Sequence, residues 1–93
     1  MMAEVTIELP SVLASVVNGE RSFTVNAETL PGALAALFQL QPGLKVHLFD
    51  ETGTFREHVL CFVNQTNTRW MASLDVPLHD GDTITILQAV SGG

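Results

Sequence analysis

The last two residues of the chain, Gly92 and Gly93, place a carboxylate at the end of a segment of small residues. Because glycine lacks a Cβ atom, a second protein can close around such a segment in a narrow channel. Residues 89–93, fully extended, reach about 16–18 Å. This geometry suits a carboxyl group that is presented to a partner enzyme for reaction. Chain ends are also often disordered and rich in small residues, so the rest of the sequence must decide between the two interpretations.

The histidines and the cysteine favour structural roles. His47, His58 and His79 include no pair at the spacing of zinc ligands, and a second cysteine is absent, so a metal site is not expected. Cys61 lies in the apolar run 59–63, where burial disfavours the reactive thiolate. We therefore predict that Cys61 acts as a small hydrophobic side chain.

The remaining candidates are two carboxyl groups and one indole. Asp80 and Asp82 flank Gly81 in a sequence typical of turns, so we predict a turn rather than an acid–base pair. Trp70 precedes Met71 and either covers the core or belongs to an exposed docking patch with it. No phosphate-binding loop, nucleophile elbow or zinc motif is present. The sequence therefore predicts no catalytic residue, no metal and no bound cofactor.

The balance of charges narrows the class of partner. Ten acidic and four basic residues give a formal net charge of −6. A chain without a basic stripe is not expected to bind nucleic acid or an anionic membrane, whereas it suits a basic protein surface. The apolar runs are too short to span a bilayer, no signal peptide is visible, and a single cysteine favours the cytoplasm. The basic residues are scattered along the chain: Arg21, Lys45, Arg56 and Arg69.

Two strands are predicted near the start of the chain. Residues 5–9 and 22–27 alternate apolar and polar side chains, which is the period of a half-buried strand. Between them, Asn18-Gly19 is a strong tight-turn signal because both residues tolerate positive φ. Residues 11–17 are apolar and allow no firm assignment. These segments predict a β-hairpin with an irregular first arm.

One helix is predicted next. Thr29 is a suitable N-cap, and Pro31 is tolerated in the first turn. Residues 41–43, with the sequence Gln-Pro-Gly, end the helix. Residues 46–49 predict either a short strand or a turn of helix. The apolar face of the helix comprises Leu30, Leu34, Leu37 and Phe38.

Strands also fill the second half of the sequence. Residues 59–63 are apolar throughout, as expected of a strand that is buried on both sides or central in a sheet. Residues 68–71 predict a short edge strand, and residues 83–87 predict the last strand. This order indicates an α+β fold in which a sheet packs on a single helix. We assign residues 1–88 to this domain and residues 89–93 to a flexible C-terminal tail.

Four segments of the sequence resemble motifs of one known family. Residues 62–64, Phe-Val-Asn, resemble the end of its central strand, and residues 69–70, Arg-Trp, resemble an Arg-aromatic pair that follows this strand. Residues 78–82 resemble its Leu-x-Asp-Gly-Asp turn. Residues 84–93 resemble its closing strand and its Ala-Val-x-Gly-Gly ending. The family is the MoaD/ThiS family of ubiquitin-like sulfur carriers, and the resemblance implies a β-grasp fold, with a mixed sheet of four to five strands on one main helix.

Within the family, the chain is most similar to the cysteine-biosynthesis carriers and their siderophore-pathway relatives. The spacing from Asn64 to the turn at 80–82 and the sequence of residues 48–53 both fit them. Residues 64–66 instead resemble the small subunits of molybdopterin synthase. Gln88 stands where the family commonly has a proline.

The resemblance implies a carrier rather than an enzyme. An adenylating enzyme of the ubiquitin-activating type would use ATP to convert the Gly93 carboxylate to an acyl-adenylate. A sulfur donor would then displace AMP and leave a thiocarboxylate for a sulfur-accepting biosynthetic enzyme. The partners would recognise the tail through Ala89, Val90, Ser91 and Gly92.

Three other functions stay open at this point. A protein modifier would form isopeptide bonds with target lysines, and Lys45 is the single lysine available for self-linkage. A plain β-grasp binding module would never have its tail activated. A non-catalytic subunit, as in molybdopterin synthase, would keep its tail inserted in a catalytic partner.

Overall fold

The first two strands form where apolar and polar residues alternate. In the computed structural model, which describes residues 2–89, β1 spans Ala3–Glu8 and β2 spans Ser22–Ala27. Odd-numbered side chains of both strands face the core, and even-numbered ones face outwards. The two strands pair antiparallel, with Val5 opposite Val25. The predicted hairpin is therefore confirmed.

A 3-10 helix, Ser11–Val17, connects the two strands and accounts for the segment that the sequence left unassigned. It buries Leu13 and Val17. Asn18 and Gly19 follow with positive φ angles of 54° and 86°, which confirms the predicted turn. The irregular first arm of the hairpin thus contributes side chains to the core.

The long helix, α1, spans Leu30–Leu40 and begins at the predicted cap. The Thr29 hydroxyl oxygen accepts a hydrogen bond from the Gly32 N–H at 3.4 Å, and a proline occupies the first turn. A 3-10 turn follows at Pro42–Leu44, and a single helical turn, α2, spans Lys45–Leu48. Of the two structures predicted for residues 46–49, the turn of helix is therefore confirmed and the short strand is wrong. The helix α1 buries Leu30, Ala33, Leu34 and Leu37 against the sheet.

The other strands complete a five-stranded mixed sheet. β3 spans Val59–Val63, β4 spans Thr66–Asn67 and β5 spans Thr83–Gln88. The strand order is β2-β1-β5-β3-β4. β5 runs parallel to β1 and antiparallel to β3, so the last strand in sequence is central in space. The predicted sheet on one main helix is confirmed.

The predicted edge strand at 68–71 is wrong. The edge strand is Thr66–Asn67, and Thr68–Trp70 forms a 3-10 turn. The side-chain oxygen of Asn67 accepts a hydrogen bond from the Arg69 N–H at 2.9 Å, which caps this turn and bends the chain away from the sheet. A local hydrogen bond from the backbone to a side chain therefore replaces the predicted strand pairing at these residues.

For β3, the predicted position inside the sheet is confirmed, whereas the alternative of burial on both faces is wrong. It has a neighbouring strand on each side, but only alternate side chains are fully buried. Val59, Cys61 and Val63 face the core, whereas Leu60 and Phe62 remain partly exposed. One face of this apolar strand is therefore open to the surface.

The turn at residues 79–82, called the acidic turn below, links the start of β5 to the end of β3. The Asp82 carboxylate accepts hydrogen bonds from the His79 N–H at 2.8 Å and from the Asn64 side-chain amide at 3.1 Å. The Thr83 N–H donates to the side-chain oxygen of Asn64 at 3.0 Å. These bonds hold the pKa of Asp82 below its ordinary value, the His79 amide having the largest effect.

The same turn also reaches β1. The Asp80 carboxylate accepts a hydrogen bond from the Glu4 N–H at 2.8 Å, and the Gly81 N–H donates to the Glu4 carbonyl at 2.9 Å. Gly81 adopts a φ angle of 88°, a conformation that glycine enters without strain. The prediction of a structural turn rather than a catalytic pair is confirmed, because both carboxylates bind the protein's own backbone.

Replacing Asp82 with asparagine tests the acidic turn. Because the folded state lowers the pKa of Asp82, the carboxylate stabilises the fold above its ordinary pKa, and this contribution is lost as the pH falls through the lowered value. We expect Asp82→Asn to reduce the free energy of unfolding by about 1–2 kcal/mol at neutral pH. The difference from the unaltered chain should disappear in strong acid, as measured by urea unfolding across the pH range.

Asp75→Asn is the matched control, because within residues 2–89 the Asp75 carboxylate accepts no hydrogen bond. The control should unfold like the unaltered chain at every pH. An equal loss in both variants, or a loss in Asp82→Asn that does not depend on pH, would contradict the role given to the Asp82 carboxylate.

Candidate functional site

β5 carries the main chain from the acidic turn to the predicted tail. Ala89, the first residue of that tail, is exposed, and its N–H donates to the carbonyl of His58 at 2.7 Å. Main-chain bonding to the segment before β3 therefore continues one residue beyond β5. The other residues predicted for recognition and attachment lie outside the described part of the chain: Val90, Ser91, Gly92 and Gly93.

Three apolar side chains lie on the outer face of the sheet near this exit, and we call them the apolar patch: Leu60, Phe62 and Leu87. Leu60 is directly opposite Leu87, and Phe62 is opposite Thr85. Leu87 is 43% exposed. Sequence reasoning missed these residues because the uniformly apolar run 59–63, predicted to be buried on both sides or central in a sheet, does not distinguish inward-facing from outward-facing positions. The signal becomes visible only when the register of β3 on β5 is known.

An acidic residue borders the apolar patch on the same face. Glu8 of β1 is exposed and lies beside Thr85 of β5, which separates it from Phe62 of β3. Two strand spacings place the Glu8 and Phe62 backbones roughly 10 Å apart. An apolar centre with a charged rim is the arrangement of a protein–protein interface. The carboxylate and the net charge of −6 both favour a basic partner surface.

Arg69 fixes the turn that carries Trp70. Its guanidinium donates hydrogen bonds to the main-chain carbonyls of Glu57 and Val59, the latter at 3.2 Å. Trp70 is 84% exposed, so of the two roles left open the core-covering one is wrong. Met71 is partly buried and packs against the core. Of the two residues predicted as a docking patch, Trp70 is therefore the more exposed, and the patch itself stays a prediction.

The remaining candidate groups do not form a reactive site. Cys61 is buried, and burial raises the pKa of its thiol to about 12, although a hydrogen bond with Thr68 acts in the opposite direction. Its predicted role as a small hydrophobic side chain is confirmed. Within residues 2–89, no group of three or more His, Cys, Asp or Glu side chains is placed to hold a metal ion. In the same part of the chain, no helix is long and apolar enough to cross a membrane.

Comparison with known proteins identifies the family. The sequence profile of the ThiS family matches residues 7–93. This chain belongs to the ThiS family. The sulfur carrier protein CysO from Mycobacterium tuberculosis is 31% identical to it over 91 residues, which cover 96% of this chain and 98% of the relative. The protein is therefore a sulfur carrier of the ThiS and MoaD type rather than a catalyst, as the sequence predicted.

Solved structures support the same assignment. In the Amycolatopsis orientalis BexX/CysO complex, the matching chain has a TM-score of 0.84 at 30% identity, covering 96% of this chain and 99% of that one. Small archaeal modifier protein 1 (SAMP1) from Methanosarcina acetivorans has a TM-score of 0.82 at 30% identity, with coverage of 100% and 99%. These likenesses confirm the predicted ubiquitin-like β-grasp fold.

The described segments that resemble the ThiS family fix the positions of β3 and β5. Asn64 and Asp82 join the end of β3 to the start of β5, and Arg69 holds the turn beside β3. Each of these side chains forms hydrogen bonds within the protein, as a structural role requires.

Trp70→Ala tests whether the indole belongs to the fold or to the surface. Because the side chain is exposed, we expect the free energy of unfolding to fall by less than about 0.5 kcal/mol. Leu37→Ala is the control, since Leu37 is fully buried and its truncation should remove about 2–5 kcal/mol. Chemical denaturation measures both. If Trp70→Ala lowered the free energy of unfolding as much as the control does, the indole would contribute to packing of the core.

Proposed function

We propose that the Gly93 carboxylate is the reactive group of this carrier and that it transports sulfur as a thiocarboxylate. A partner enzyme of the ubiquitin-activating type first joins the carboxylate to the AMP portion of ATP and releases pyrophosphate. A sulfur donor then attacks the acyl carbon, AMP leaves, and the thiocarboxylate remains on Gly93. Adenylation is required because a free carboxylate is a poor electrophile, whereas AMP is a good leaving group.

The observation that carries this proposal is the placement of β5. The strand is bonded to β1 on one side and to β3 on the other, and it leads directly to the exposed Ala89. The tail therefore begins after a strand that is held between two others in the sheet, next to the apolar patch. A partner that binds the patch receives the tail from a defined point, which converts delivery of the carboxylate into an intramolecular event.

The two parts of the site take different roles in partner recognition. The apolar patch and Glu8 dock on the adenylating enzyme, while residues 89–92 enter a narrow channel that leads to the adenylation centre. Trp70 provides a separate exposed anchor for a partner. ATP is consumed by the adenylating enzyme, so the carrier itself binds no cofactor.

The thiocarboxylate is used in a biosynthetic reaction catalysed by a second, sulfur-accepting enzyme. We favour a cysteine-type or siderophore-type pathway, which the spacing between Asn64 and Asp80 and the similarity to CysO support. A molybdopterin-type pathway is the alternative that residues 64–66 support. The cytoplasmic location that the single cysteine favours belongs to the same proposal.

Gly92→Phe tests the channel. The phenyl group should block entry of the tail, so thiocarboxylate formation should fall by at least about a hundredfold, as loss of productive positioning does elsewhere. The assay incubates the chain with the host's adenylating enzyme, ATP and sulfide and follows intact mass for exchange of oxygen by sulfur. Gln39→Phe, on the exposed side of α1, is the control and should react like the unaltered chain.

The outcomes separate the two parts of the proposal. An unchanged mass of the unaltered chain would exclude the carrier chemistry, whereas equal rates for Gly92→Phe and the unaltered chain would exclude only the channel. Iodoacetamide provides a second readout, because it should alkylate the new sulfur while the buried Cys61 stays unmodified in the folded protein.

Leu87→Asp tests the docking face. A carboxylate in the apolar patch would be desolvated in the complex, so we expect the dissociation constant for the adenylating enzyme to rise at least about tenfold. Thr24→Asp is the matched control, since Thr24 is exposed on the same face but lies on β2, away from the patch. Calorimetric titration measures both variants, and circular dichroism verifies that both fold. Equal affinities would show that the partner binds elsewhere.

A second function is favoured by the likeness to SAMP1, whose name describes a modifier protein. The same activated Gly93 would then be transferred to lysine amines instead of sulfur. Lys45, the single lysine of the chain, is exposed and limits self-linkage to one site. Immunoblots of a host lysate under reducing conditions distinguish the two functions, because a ladder of stable adducts indicates a modifier and its absence a carrier alone.

A further inference from the structure

Gln88, the last residue of β5, contains a buried polar atom that the fold does not satisfy. Its side chain follows the alternation of Ile84 and Ile86 and points to the core side of the sheet, opposite Val59. Its side-chain oxygen is buried, yet within residues 2–89 no donor forms a hydrogen bond with it. An amide oxygen that loses water without gaining a protein donor raises the free energy of the conformation in which it is buried.

The position of Gln88 confines the effect of this unmet hydrogen bond to the end of β5. The register of β1 on β5 ends at the pair of Glu8 and Thr85, so at Gln88 β1 is no longer paired with β5. Beyond it, the bond from the Ala89 N–H to the His58 carbonyl is the last main-chain link of β5 to its neighbours in the described residues. Opening that link would let water reach the Gln88 amide and leave Leu87 paired with Leu60.

We propose that Gln88 is a positioning residue that keeps the last link of β5 easy to open, so that a partner that captures the tail also releases Ala89, the first residue of the tail, and Gln88 from the sheet. Release of these two residues lengthens the freely extending segment by about 7 Å. The Gly93 carboxylate then reaches deeper into the adenylating enzyme while the apolar patch stays docked. This role rests on the proposed function, because the tail must enter a partner for added reach to matter.

The first test examines the opening without any partner. The substitution Gln88→Met introduces a side chain of similar length that lacks the buried amide oxygen. We expect the amide hydrogen of Ala89 to exchange on the order of tenfold more slowly than in the unaltered chain, and the midpoint of thermal unfolding to rise, because one unmet hydrogen bond is removed. Gln39→Met, on the exposed side of α1, should change neither quantity.

The second test connects the opening to the reaction. If only the open form is captured, Gln88→Met should raise the KM of the carrier for the adenylating enzyme by the same factor as it slows exchange, with kcat unchanged. Insertion of two glycines between Gln88 and Ala89 supplies the missing length permanently. In the Gln88→Met background, this insertion should restore the KM of the unaltered chain.

The results test separately the opening of the last link, its role in the reach of the tail, and the proposed function. A lower thermal midpoint or unchanged exchange in Gln88→Met would show that the oxygen is satisfied in the folded chain and would overturn the proposal. Slower exchange with an unchanged KM, or no rescue by the insertion, would overturn the role in reach. Failure of the unaltered chain to form a thiocarboxylate would instead count against the proposed function, and the exchange measurements would remain interpretable without it.

Discussion

The pairing of β5 with β1 and β3 is the interaction on which the rest of the structure depends. It brings the C-terminal strand between the first and third strands of the sheet, so residues from both ends of the chain form one core. A parallel neighbour requires a long connection, and here that connection contains β2, both helices α1 and α2, β3 and β4. The acidic turn secures the entry of β5, because its carboxylates bind the start of β1 and the end of β3.

The same strands form the core with one face and, in the function proposed above, the docking surface with the other. Ile84 and Ile86 of β5 are fully buried, whereas Leu87 points outwards beside Leu60. Because neighbouring residues of a strand point to opposite faces, a substitution on the outer face leaves the core contacts intact. A carrier built in this way can change its partners through the outer positions without losing its fold.

The sequence predicted those features of the fold that are local. The turn at Asn18-Gly19, the cap at Thr29 and the turn around Gly81 each depend on the conformational preferences of a few adjacent residues, and all three are confirmed. The apolar patch depends on the register between β3 and β5, which are distant in sequence. The patch was therefore not recognisable from residues 59–63 alone, whose uniform apolar character concealed the exposed positions.

Competing local interactions account for the other differences. Residues 68–71 have side chains that suit a strand, yet the Asn67 side chain captures the Arg69 amide and starts a 3-10 turn. Residues 11–17 lack a clear period because a 3-10 helix fits neither the helical nor the strand pattern. For the site, the sequence predicted an exposed role or a buried role for Trp70, and only the position of this residue at the end of the 3-10 turn selects between them.

The guanidinium of Arg69 occupies part of a strand edge. Within residues 2–89, β4 pairs with Phe62 and Val63 alone, so the first half of β3 has no strand beside it on that edge. An uncovered strand edge is a template on which another chain can add. By donating to the carbonyls of Glu57 and Val59, Arg69 occupies acceptors that an incoming strand would require. One side chain thus satisfies main-chain acceptors that a neighbouring strand satisfies elsewhere in the sheet.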